Sequence, residues 1–186
     1  MSEFEHLSVL ISIVIGLSIT HLLASVHKVI QAGERVRWYW LSVLWTAVMF
    51  VAQVEWWWAS FEFRQEADWN FFFYLFLLLS PVTLYLAAAF VLPDIEEGVS
   101  YDMKTYYYET RGWFFGVVAA GPALDSIRRG VQAGSFLDFG SFANGISAVL
   151  VATLCVSRNE LHHAVISLAV AGLFLFFILS EALHLG

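Results

Sequence analysis

The chain has 186 residues, of which 60% are hydrophobic, 17% aromatic and only 13% charged, with mean hydropathy +0.72 and a net charge of −7. Soluble domains carry about twice that charge fraction, so lipid must solvate part of this surface, and the acidic balance excludes the basic stripe that nucleic acid requires. Cys155 is the only cysteine, which rules out an intrachain disulfide and a multi-cysteine metal site.

The first residues, Met-Ser-Glu-Phe-Glu-His, lack the basic region of a cleaved signal peptide, so the first apolar segment is expected to be retained as a span. The pattern predicts an all-α polytopic membrane helix bundle, one domain over 1–186, with six spans near 7–31, 38–61, 69–92, 112–131, 137–157 and 161–185. Each is close to the ~20 residues that cross ~30 Å of hydrocarbon. The first carries small residues at four-residue steps, Ser8, Ser12, Gly16, Thr20 and Ala24, a face on which another helix backbone can approach closely. The second starts at Trp38-Tyr39-Trp40 and ends at Trp56-Trp57-Trp58, as interfacial anchors do. Inside that end lies Glu55, a carboxylate in an apolar run.

The third segment is the clearest span, and Pro81 within it predicts a kink. Residues 93–111 are too charged to cross, and Tyr101, Tyr106, Tyr107 and Tyr108 predict a short interfacial helix near 101–110. The fourth segment holds the stripe Gly112, Gly116, Ala120 together with Pro122, Asp125, Arg128 and Arg129. The fifth repeats the small-residue stripe with Gly140, Asn144, Ala148 and Ala152. The sixth ends in Glu181-Ala-Leu-His184.

Lysine and arginine counts set the orientation. With both termini outside, six basic residues lie in the inner loops (Lys28, Arg35, Arg37, Lys104, Arg111, Arg158) and three outside (Arg64, Arg128, Arg129). The Arg128–Arg129 pair is the discordant point. Residues 21–33 align without gaps on 122–134 with five of thirteen identities. One reading is a 3+3 inverted repeat, a plan used by some transporters; chance similarity between apolar helices is the other.

In this orientation Glu55, Asp125, Glu181, His184 and His6 fall at one outer level, with Arg128 and Arg129 beside it. Such groups form an ion or ligand site, or else structural ion pairs of Glu55 and Asp125 with Arg128 or Arg129. Glu181-x-x-His184 has the spacing of carboxylate-bridged metal bundles, but the matching second motif is absent at that level. His21, the deepest histidine, is the only residue placed to ligate a haem b, and Ser18 and Ser25 flank it as hydrogen-bonding neighbours. No phosphate-binding glycine loop, catalytic triad or zinc-protease motif is present, so no catalytic residue is assigned.

The layout resembles that of bacterial multi-pass inner-membrane proteins in general, and no segment carries the signature of a named family. The expected function is a small transporter, channel-like or ligand-responsive module with a polar outer cavity. The alternatives are a metal or haem redox protein, and an accessory subunit. Its expected partners are the lipid bilayer and, through the small-residue stripes, a second copy or another subunit.

Overall fold

In a computed structural model of the chain, residues 3–65, 70–136 and 139–184 are described. They form six helices: α1 (Glu3–Ala32), α2 (Trp40–Ala59), α3 (Phe71–Val91), α4 (Met103–Ala133), α5 (Phe139–Val156) and α6 (Glu160–His184). Three helical stretches, Phe4–Arg35, Phe71–Val91 and Glu160–Ser180, are long and apolar enough to cross a membrane. Gln53 and Glu55 interrupt the apolar run of α2, and the charged opening turns and Asp125–Arg129 make α4 much less apolar than the other helices.

Local chemistry sets the helix ends. Asn70 caps α3, its Oδ1 accepting from Phe73 N at 2.9 Å. Asp102 caps α4 by accepting from Lys104 N and Thr105 N at 2.9 and 3.0 Å. Asn159 caps α6 through Leu161 N at 2.9 Å. Gly33 (φ 56°) and Gly134 (φ 64°) stop α1 and α4 in the left-handed conformation that glycine adopts without steric cost.

The chain divides into two compact units, Met1–Thr110 and Arg111–Gly186. In the first, α1 packs on α2 and α3, and α2 packs on α3. Trp57 Nε1 near the end of α2 donates to Ser12 Oγ near the start of α1 at 3.1 Å, so these two helices are antiparallel. His21 and Tyr85 pair their rings at 5.9 Å, and Lys28 meets Asp94 just beyond α3, so α1 and α3 run the same way. The buried stripe of α1 is Phe4, Leu7, Ile11, Ile15, Ser18, Leu22 and Val29, the three-and-four spacing of one helix face. Leu7, Ile11 and Ile15 form a cluster with Leu77, against which Trp56 and Phe73 pack.

That stripe is not the small-residue one. Ser12, Gly16, Thr20 and Ala24 are exposed, as are Gly112 and Gly116 of α4. The large apolar residues make more contact area per turn, and dispersion between them decides which face turns inward. In α5 the stripe is split: Ala148 is buried and Ala152 exposed.

A second correction concerns the tyrosines. Residues 103–110 are the opening turns of α4, continuous with the segment expected to form the fourth span, and no separate interfacial helix precedes it. Tyr106 is turned inward and shares its hydroxyl proton between the carbonyls of Phe90 (3.2 Å) and Leu92 (3.1 Å), which closes the open carbonyls at the end of α3. Burial pushes its hydroxyl pKa up. Tyr107 is buried against Tyr39, ring centroids 5.3 Å apart. The same end is tied by a short parallel ladder, β1 (Val36–Arg37) on β2 (Tyr101–Asp102), and by the exposed Lys28–Asp94 ion pair at 2.6 Å. The Lys28 ammonium, through its hydrogen bond and its charge, holds the Asp94 carboxyl below the usual carboxylate range.

In the second unit, Ser126 Oγ at the end of α4 donates to Ser141 O at the start of α5 at 2.7 Å. His163 of α6 is fully buried, with Nε2 3.0 Å from Ser157 O and its ring 5.5 Å from that of Phe115. Thr153 Oγ1 lies 3.0 Å from His162 Nε2, joining α5 to α6.

Adjacent leucines test the burial pattern of α1. Leu22 is 1% exposed and Leu23 51% exposed. Leu22→Ala is expected to destabilise the protein by about 2–4 kcal/mol and Leu23→Ala by less than about 0.5 kcal/mol. Thermal unfolding of the two variants in the same detergent measures the difference, and equal losses would contradict the packing.

Candidate functional site

The inward stripe of α2 is Leu41, Ser42, Trp45, Met49 and Gln53, continued by the partly buried Trp56 and the buried Ser60. Gln53 stands on it at full burial. Its Nε2 donates to Met49 O at 3.0 Å, one turn back on the same helix. That bond fixes the amide orientation and leaves Oε1 without a partner among the described residues. Glu55, two residues on, is rotated by about 200° and is only half-buried.

Ser18 of α1 is also fully buried, and its Oγ also has no partner among the described residues. The Ser12–Trp57 bond gives the register of the antiparallel pair. Ser18 is six residues along α1 from that contact and Gln53 four back along α2. These offsets are ~9 and ~6 Å of rise, so the two polar groups differ in height by less than one turn. The third helix contributes about one turn away. By the His21–Tyr85 pairing, Ser18 lies level with the region of Pro81. Pro81 is buried inside α3, and its missing N–H withdraws the donor that would close on the carbonyl of buried Leu77. Two helices thus bring an amide oxygen and a hydroxyl to one interior height, and the third adds a backbone carbonyl about one turn away. The set is uncharged, rich in acceptors and has one hydroxyl donor. It suits a molecule that donates hydrogen bonds, such as water, or a small polar solute or hydrated proton.

Ser42 also has a buried hydroxyl with no partner among the described residues. It sits eleven residues from Gln53 on α2, ~16 Å along the axis, and is separate from this level.

The residues expected to converge fall in both compact units. Glu55 flanks the Gln53 level on α2. His6 is exposed in the opening turns of α1, about eight residues, or ~12 Å of rise, beyond the height of Glu55. Asp125 belongs to the second unit and is brought together there with both arginines. Its Oδ1 accepts from Arg128 Nη2 and Nε at 2.6 and 3.0 Å. Its Oδ2 accepts from Arg129 Nε at 2.7 Å and from Asn144 Nδ2 of α5 at 2.6 Å. Arg128 continues to Gln132 Oε1 at 2.9 Å. A carboxylate accepting four such bonds has little capacity left for a cation, and its role here is to join α4 to α5. Glu181 and His184 fall in the last turns of α6, and their side chains lie outside the described part. His21 is half-buried against Tyr85. Among the described residues no three His, Cys, Asp or Glu side chains gather as a metal site would require.

Gln53 and Ser18 were missed by a reading that looked for charge. The signal was present in the helical spacing: Trp45, Met49, Gln53 and Trp56 fall on one face, and so do Ile11, Ile15, Ser18 and Leu22. Comparisons of the chain with protein-family models, curated proteins and solved structures find no match, so function is argued from this geometry.

The Asp125 group makes one sharp expectation. The Arg128 side chain is 13% exposed and that of Asp125 31%, between the surface and buried limits. Asp125→Ala is therefore expected to cost on the order of 2–3 kcal/mol in detergent thermal unfolding. Asp125→Asn, which keeps one acceptor oxygen and the link to Asn144, should cost less. A neutral Asp125→Ala would remove the group from any structural role.

Proposed function

We propose that this chain is a multi-pass integral protein of a bacterial inner membrane, with six spans and both termini outside. In this proposal it acts as a small transporter-like, channel-like or ligand-responsive module. Water, a proton or a small uncharged polar solute occupies the Ser18–Gln53 level of the first unit. The observation that carries the reading is that the wholly buried Oε1 of Gln53 and the wholly buried Oγ of Ser18 stand at a similar height on adjacent helices, neither with a protein partner among the described residues. Unsatisfied polar groups are costly inside hydrocarbon and are retained where they meet a ligand. Glu55 is the neighbouring acid that couples the site to protons. In this proposal the polar level is uncharged and lies within the first unit, and Asp125 is structural.

A 3+3 repeat fits two facts. The compact units divide the helices three and three, apart from the opening turns of α4, and both aligned segments end in a left-handed glycine, Gly33 and Gly134. The accessory-subunit reading is supported by the exposed small-residue face of α1, where Gly16 has open space around it. The metal or haem reading has no described cluster to support it.

Proteoliposomes separate these readings. Vesicles containing the protein should admit water, protons or small polar solutes faster than protein-free vesicles. Gln53→Leu should abolish the excess flux while leaving the fold intact or stabilised by about 1 kcal/mol. Glu55→Gln should shift the pH dependence of the flux without unfolding the protein. Flux in Gln53→Leu equal to the parent, or a parent indistinguishable from empty vesicles, would leave the accessory-subunit reading in its place.

A further inference from the structure

A groove with wholly apolar walls and a volume of about 270 Å³ runs between α1 and α2 at the end of the first unit opposite Trp57. Leu23 and Val26 of α1 face Ala47 and Phe50 of α2 across it, and Trp38 and Met103 close its end. The one hydroxyl on its wall, that of Thr46, is turned back to Ser42 O at 2.7 Å. Leu23, Phe50 and Trp38 are exposed, so the groove opens sideways.

We infer that this groove holds one acyl chain of a phospholipid whose headgroup carries both a phosphate and a primary amine, namely phosphatidylethanolamine. Its walls run seven residues along each helix, ~10 Å of rise, within the ~15 Å depth of one leaflet. That length takes about two-thirds of one chain lying along the helices. The groove closes where charges of both signs stand next to its residues in sequence. Arg37 precedes Trp38, Asp102 precedes Met103, Lys28 precedes Val29 of the α1 wall, and Asp94 follows Leu92 by two. The ion pairs at this rim leave room for a headgroup: Arg37 Nη1 is 3.6 Å from Asp102 Oδ2 with its side chain 85% exposed. Asp94 is equally exposed beside Lys28. Arg37 and the Trp38 indole N–H offer donors to a phosphate, and Asp94 and Asp102 accept from an ammonium. Lys28 and Arg37 already face these carboxylates on one side, and a headgroup without an N–H donor offers nothing to their remaining lone pairs. A quaternary ammonium has no N–H to give them. Trp38 sits at the depth where tryptophan marks the headgroup boundary. The inference rests on α1 and α2 lying in a bilayer, and not on the Ser18–Gln53 site.

The test is native mass spectrometry of the delipidated full chain in detergent, titrated with phosphatidylethanolamine, phosphatidylglycerol and phosphatidylcholine of identical acyl chains. One phosphatidylethanolamine per chain should be retained with roughly tenfold preference over the other two. Ala47→Trp, which fills the groove from an exposed position, should remove that retention. Leu23→Trp at the lip serves the same purpose if Ala47→Trp does not fold. Arg37→Gln, an exposed change outside the helices, should erase most of the headgroup preference. Equal or stronger retention of phosphatidylglycerol, or folded groove-filled variants that bind as the parent does, would overturn the inference. Flux through the Ser18–Gln53 level should be unchanged in Arg37→Gln, which keeps the two proposals separable.

Discussion

Where no water is available, every polar atom must find its partner inside the protein. Most of the described polar groups answer to that constraint locally. Thr20, Thr46 and Thr110 return their hydroxyls to carbonyls one turn back. Tyr106 closes the end of α3. Asp125 takes two arginines and Asn144. Against that background the free oxygens of Gln53 and Ser18 are conspicuous, because a Gln side chain could have been Leu and a Ser could have been Ala with no loss of helix. Retaining them in the interior of α1, α2 and α3 is a cost of about 1–3 kcal/mol each when unpaired. That cost is what a bound water or solute would offset.

The two units manage polarity in different ways. The first has an apolar stripe on each helix, interrupted by uncharged polar groups at Ser18 and Gln53 and again at Ser42, and places the Lys28–Asp94 and Arg37–Asp102 ion pairs at its exposed end. The second draws a carboxylate and two guanidinium groups into the contact between α4 and α5, and buries His163 on a backbone carbonyl. An ion pair of this kind fixes register between helices more than it adds stability. An uncharged polar level is better suited to a guest, because exchange of the guest leaves no unpaired charge.

Much of the fold was legible because helix formation is local. The apolar runs and the tryptophan clusters bracket five of the six helices to within about four residues at each end. The tyrosine segment failed for a physical reason: an amphipathic stretch beside a span can lie flat at an interface or simply extend the span, and Asp102 capping the whole of α4 selects the second. The packing faces were harder. Small residues at four-residue steps and large residues at three-and-four steps coexist on α1, and the sequence contains no statement of which neighbour each meets. The Asp125–Arg128–Arg129 contact was accessible because its members are three and four residues apart. The level formed by Ser18 and Gln53 joins two helices, and its register depends on the Ser12–Trp57 contact, which only the folded chain supplies.

The account therefore stands on whether the Ser18–Gln53 level is wet. Solution NMR of the protein in lipid bicelles, with the glutamine side-chain amides labelled, reads this directly. The expected result is magnetisation transfer between long-lived water and the Gln53 amide protons, lost in Ser18→Ala, with no transfer to the methyl groups of Leu22 one turn away. A Gln53 amide with no water contact, and a chemical shift unchanged by Ser18→Ala, would contradict it.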